Sequence, residues 1–146
     1  MVLGNGKTSW WCFDTGSNAH VCSKIDDFIT YQNKIELSSP KVSIQGVAPR
    51  LGAEVVGIGT VLLGTLVNGK IRSCLLEDVL HVPSAQHGLL SPGRAIEQGF
   101  NVRQDEDCFI LSRNGKDVVK AKLIHGTWGF KSADIGDEEE PEDKDS

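Results

Sequence analysis

Asp14 stands between an apolar run and a polar turn: Trp10-Trp11-Cys12-Phe13 precede it and Thr15-Gly16-Ser17-Asn18-Ala19-His20 follow. A carboxylate at the end of a strand that enters a core is costly to bury unpaired, and it must take a proton or share one with a second acid. Two close carboxylates cannot both ionise easily. Such a pair can hold a water, with one group acting as base and the other as acid. The neighbouring residues suit that task. Gly16 permits a tight turn and offers backbone N–H groups to the carboxylate. Thr15 offers a hydroxyl that can lock the turn from beneath. Ser17 is placed to donate to the outer carboxylate oxygen and so favour its charged form.

Other residues of the right types have poorer spacing. Gly4-Asn5-Gly6-Lys7-Thr8 has the look of a phosphate loop, but the first glycine of G-x-x-x-x-G-K-[ST] falls on Met1 and an aromatic strand follows. Cys12, His20 and Cys22 could ligate zinc, yet no second close ligand pair accompanies them. The four cysteines, Cys12, Cys22, Cys74 and Cys108, show no framework spacing and predict free thiols in a reducing compartment. No metal or cofactor is expected.

The elements that must position Asp14 are mostly strands. Asn68-Gly69 and Asn114-Gly115 are two-residue hairpin signals between β-branched runs. Residues 8–14 read as a buried strand, and 35–37 and 41–45 as extended chain. Residues 21–31 are ambiguous, with room for one helical turn around Ile25 and Phe28. A single short helix is signalled over 92–98, with Ser91 as its cap, Pro92 at its first position and Gly99 at its end. One helix among roughly eight strands means an all-β fold, a barrel of bent hairpins.

Charge divides the chain. Residues 134–146 hold eight acids and one lysine, whereas the preceding 133 residues carry 14 basic and 12 acidic side chains. The expected division is a flexible leader over 1–9, one domain over 10–133 and an acidic disordered tail over 134–146. The near-neutral domain offers no basic field for direct nucleic-acid binding. No apolar run reaches the length of a membrane span, so no membrane partner is expected and the reading is a soluble, cytoplasmic protein.

Asp14-Thr15-Gly16-Ser17 behind an aromatic run resembles the aspartic proteases. A single copy in a chain this short resembles the retroviral type, in which two identical subunits each supply one Asp. The order DTGSNAHVC, GIGTVLL, LLEDVLHVPSAQHGLLSPGRAIEQGF and GTWGF narrows this to the proteases of Ty1/copia-type retrotransposons, over roughly residues 10–130. Departures are Asp78 and Gly88, where that family often has Asn, and Ser91, where retroviral enzymes have Gly. The resemblance implies a retropepsin-like closed barrel with one short helix, active as a homodimer. It implies an aspartic endopeptidase that cuts the element's own Gag-Pol polyprotein, using Asp14 from each copy. For the protein it implies a cytoplasmic location or, more narrowly, virus-like particles. The resemblance implies that Thr15, Gly16 and Ser17 form the active-site loop, with His20, Leu89, Leu90 and Ser91 as its support. Gln45, Gly46 and Val47 lie in a hairpin, residues 42–56, expected to cover the substrate. The strands after Gly99 are expected at the subunit interface, or else closing the barrel of one subunit around Phe109, Leu111 and Val119. A domesticated or inactive dimerisation and binding module is the alternative.

Overall fold

A computed structural model describes residues 9–33 and 54–134. Ten strands lie among the described residues: β1 (Trp10–Phe13), β2 (His20–Cys22), β3 (Phe28–Asn33), β4 (Gly57–Val67), β5 (Lys70–His81), β6 (Gly88–Leu90), β7 (Asn101–Asp105), β8 (Cys108–Arg113), β9 (Lys116–Ile124) and β10 (Thr127–Lys131). A 3-10 turn at Ile25–Asp27 is the helical turn of the ambiguous stretch, and α1 (Pro92–Glu97) follows β6. The fold is all-β.

The strands form one sheet in the order β3-β4-β5-β2-β6-β1-β10-β9-β8-β7. Among the described residues the expected barrel is not closed by strand pairing, because this order ends on β3 at one side and β7 at the other. What rolls the sheet is a single bridge. Past β10 the chain meets the far half of β4, where Thr65 opposes Ser132 and the Ala133 N–H donates to the Gly64 carbonyl at 2.7 Å. The Thr65 hydroxyl adds a 2.6 Å bond to the Val118 carbonyl of β9. The two Asn-Gly hairpins form with positive φ at both residues, as does a third at His125-Gly126. This is the backbone that two-residue hairpin turns require.

β1 sits near the middle of the sheet, parallel to β6 on one side and antiparallel to β10 on the other. Its two tryptophans point to opposite faces, and each is seated on a glycine of a flanking strand. Trp11 covers Gly88 of β6 and stacks on Phe130, while Trp10 covers Gly129 of β10. Gly88 therefore departs from the resembled pattern for a local reason: any Cβ there would enter the Trp11 ring. Trp11 is fully buried and has nowhere to go. Gly88→Ala is expected to cost about 3 kcal/mol, the upper range for overpacking, read as a lower urea midpoint at unchanged slope. A midpoint equal to the parent's contradicts this packing.

The main core runs from Trp11 and Phe13 through Leu63, Leu76 and Leu90 to Leu111, Val119 and Phe130. Leu111 and Val119 are thus buried inside one chain, and Phe109 stacks on Phe13 and meets Trp128 edge-on. Of the two placements open for this hairpin, its apolar side fills the core of its own subunit. A second cluster, Ala19, Val21, Leu80, Val82 and Leu89, lies on the opposite face of β2. All three residues of β2 are consequently buried.

The Gly57-x-Gly59-Thr60 stretch is also a packing device. Tyr31 lies over Gly57, and the Thr30 carbonyl passes close to Gly59. The pairing of β4 with β5 shifts between Gly59 and Val61, so Thr60 faces both Glu77 and Asp78. Asp78 takes φ +55° there. Asn and Asp adopt that backbone more easily than other non-glycine residues, so Asp78 holds it at little cost.

Candidate functional site

Asp14 ends β1. Its N–H donates to the Leu90 carbonyl at 3.0 Å, which carries the β1–β6 ladder one residue beyond the strand. Its carbonyl accepts from the Ser17 N–H at 3.1 Å and closes a four-residue turn. Its carboxylate Oδ1 accepts from the Gly16 N–H at 2.9 Å, an Asx-type bond that aims the side chain along the turn. Phe13 behind it is buried, Asp14 itself is half-buried, and Thr15 and Gly16 are exposed. The carboxylate therefore stands at the surface of one chain, and not deep in its core as the aromatic run suggests. The Thr15 side chain makes no hydrogen bond among the described residues. It does not lock the turn within one chain.

Ser17 departs from its expected role. Its hydroxyl has one proton and donates it to the Ala19 carbonyl at 2.8 Å, while accepting from the Ala19 N–H at 3.2 Å. The side chain is buried beneath the turn. Ser17 braces the loop and does not donate to Asp14.

The floor of the turn is built by Ser91 and His20. The Ser91 hydroxyl donates to the Ser17 carbonyl at 2.7 Å and accepts from the Arg94 N–H at 3.1 Å. One oxygen thus caps α1 and grips the loop. A glycine could do neither, so the departure at Ser91 has a structural use. The Ser91 N–H donates to His20 Nδ1 at 3.0 Å, and His20 Nε2 meets Gln98 Oε1 at 3.1 Å. His20 and Ser91 are fully buried. Desolvation lowers the His20 pKa to about 4; Arg94 also lowers it, while the Gln98 bond and Asp78 oppose the shift. With both ring nitrogens engaged, His20 is a structural group, free neither to ligate a metal nor to act as a base. Burial likewise pushes the Cys22 thiol up to about 12, which leaves little thiolate for zinc.

The structure brings Asp14, Thr15, Gly16, Ser17, His20, Leu89, Leu90 and Ser91 into one unit: β6 pairs with β1 on one side and meets β2 through Val21 and Leu89 on the other. Gln45, Gly46 and Val47 lie outside the described residues, as do residues 1–8 and 135–146. The other acids near the turn in sequence are occupied elsewhere or exposed. Asp27 accepts from the Cys22 thiol, Asp78 pairs with Arg94 at 3.4 Å, and Asp26 is exposed. Gln98 is the member of the site that the sequence does not reveal. A polar residue at the end of a short helix reads as solvated, and nothing local to it points at His20.

A family model described as the Pol polyprotein β-barrel domain matches residues 11–100. The chain belongs to that family. The matched stretch opens on Trp11 and closes on Phe100, so it holds the Asp14 turn, β6 and α1 together. It marks the chain as a retroelement Pol-derived domain. No curated protein and no solved structure is detectably similar to it. Strands β7 to β10 lie beyond the matched residues, yet they share the same sheet and core: β10 pairs with β1, and Phe109 and Phe130 pack on the aromatic residues of β1.

Proposed function

We propose that this Pol β-barrel domain is an aspartic endopeptidase of the Ty1/copia type, working as a homodimer on its own polyprotein. The observation that supports it is the placing of one carboxylate. Asp14 stands half-exposed at the end of a buried strand, its turn is braced from beneath by Ser17, His20 and Ser91, and Thr15 beside it is exposed. A second copy facing this turn would cover both residues and bring the two Asp14 side chains together.

In this reading one Asp14 carboxylate takes a proton from a water held between the pair, and the water oxygen bonds to the scissile carbonyl carbon. The partner's carboxyl donates its proton to the carbonyl oxygen. Collapse of the tetrahedral intermediate breaks the C–N bond, and the amine leaves with a proton from the dyad. No cofactor is involved. The substrate is an extended peptide, and residues 45–47 are the proposed cover over it.

Because only the dimer carries two carboxylates, cleavage of a quenched peptide should rise more steeply than first order in protein at high dilution. Sedimentation over the same range should show the dimer dissociating. A monomer with flat specific activity contradicts the shared dyad, and a dimer without cleavage on any polyprotein junction peptide supports a binding module instead.

A further inference from the structure

We propose that Gln98 is the positioning residue of the Asp14 turn, anchoring the His20 ring by its Nε2–H so that Nδ1 stays aligned with the Ser91 N–H and Ser91 grips the loop. The argument begins at the Ser91 backbone N–H, which can only donate. It points at His20 Nδ1 from 3.0 Å, so Nδ1 is bare and the proton of the neutral ring sits on Nε2. His20 has no exposure to solvent, so that Nε2–H requires a protein acceptor. Gln98 Oε1 supplies it at 3.1 Å.

Gln98 is itself fixed at each of its polar ends. Its side-chain amide donates to the Glu77 carbonyl at 2.8 Å, which turns the oxygen of the amide towards His20. Its N–H bonds back to Arg94 and Ala95, and its carbonyl accepts from the Arg113 guanidinium at 2.6 Å. Gly99, at φ +100°, ends the helix immediately after it. The chain of bonds therefore runs from the bulge in β5 through Gln98, His20 and Ser91 to the Ser17 carbonyl beneath Asp14. Loss of the acceptor would strand a buried donor on the ring. The proton cannot move to Nδ1 without facing the Ser91 N–H donor to donor, so the ring would keep an unsatisfied Nε2–H and lose the anchor that aligns Nδ1 with Ser91. The charged groups around the ring, Arg94 from α1 and Asp78 from β5, act on it in opposite directions, and neither replaces the missing acceptor.

Long-range proton–nitrogen NMR on the full chain reads the tautomer directly. The parent should show His20 with its proton on Nε2. Gln98→Leu, which keeps bulk but removes the acceptor, should leave the proton on Nε2 but release the ring, seen as a shifted Nε2 resonance and Ser91 amide exchange faster by about tenfold. Gln98→Glu keeps an acceptor and should retain the Nε2–H form, with the midpoint of the His20 titration raised by about one pH unit. The Glu variant gives an answer even if the Leu variant does not fold. An Nδ1–H ring in the parent, a Leu variant identical to it, or a Glu variant whose titration does not move overturns the proposal. A kinetic arm rests on the protease reading: Gln98→Leu should lower kcat by about tenfold at unchanged KM, with Gln98→Glu restoring most of it. If no cleavage is found in any variant, the protease reading fails while the NMR arm still decides the role of Gln98.

Discussion

Asp14→Asn is expected to lower peptide hydrolysis by at least about a thousandfold while the fold stays intact. The substitution leaves every backbone bond of the turn in place: the N–H to Leu90, and the carbonyl that accepts from Ser17. The amide oxygen can still accept from the Gly16 N–H, as Oδ1 does at 2.9 Å. What is lost is the ability to ionise and take a proton from water. The melting temperature should therefore move by no more than about 3 °C. Activity within tenfold of the parent on the same peptide removes Asp14 from the chemistry. Loss of activity accompanied by unfolding leaves a structural explanation in its place, which is why both quantities are measured together.

The second large effect is on stability in acid. His20 is neutral in the folded domain because burial lowers its pKa from 6.5 to about 4. In the unfolded chain the same ring takes a proton below about 6.5. Between these values the unfolded state binds more protons, so stability falls as the pH falls. The contribution is complete above about pH 6.5 and is lost progressively down to about pH 4, a change of roughly 3 kcal/mol. Urea melts at pH 7 and pH 4 should differ by at least that amount, since burial also lowers the His81 pKa. His20→Asn, whose Oδ1 can accept the Ser91 N–H without titrating, should flatten this part of the slope. A parent slope that His20→Asn leaves unchanged contradicts the assignment. If the proposed protease reading holds, the loop loses its brace as the pH falls towards 4, and activity lost on that side should be accompanied by loosening of the fold.

How far the sequence reveals this site depends on how local each signal is. Ser91, Pro92 and Gly99 define α1 because caps act within a single turn of helix, and Asn68-Gly69 and Asn114-Gly115 define hairpins for the same reason. The His125-Gly126 hairpin is missed, since His is a weak marker of positive φ. The extent of the sheet is underestimated too, at eight strands against ten among the described residues. Short strands such as β2 and β6, three residues each, carry no period of their own. Closure of a barrel is what the resemblance implies, whereas among the described residues the ladder ends on β3 and β7 and is tied across by Thr65 and Ser132. Those two residues are far apart in sequence, and no local pattern pairs them.

The site shows the same divide. Asp14, Thr15 and Gly16 stand out because their types and order are chemical. The direction of the Ser17 hydroxyl does not, since a serine beside a carboxylate can equally serve its own backbone, and here it bonds Ala19. The seats of the two tryptophans on Gly88 and Gly129 are likewise tertiary facts. Each glycine reads alone as a turn former and becomes a packing site only when another strand is laid against it.

The central claim is that each of two copies supplies one Asp14, and mixing tests it most directly. Parent and Asp14→Asn protein are combined at constant total concentration, high enough for full pairing, and left to exchange subunits before peptide cleavage is measured. If both carboxylates of a dimer are needed, activity follows the square of the parent fraction, and an equal mixture retains about one quarter of the parent rate. An equal mixture retaining about one half, as when each Asp14 acts alone, or about three quarters, as when one Asp14 suffices per dimer, contradicts the shared dyad.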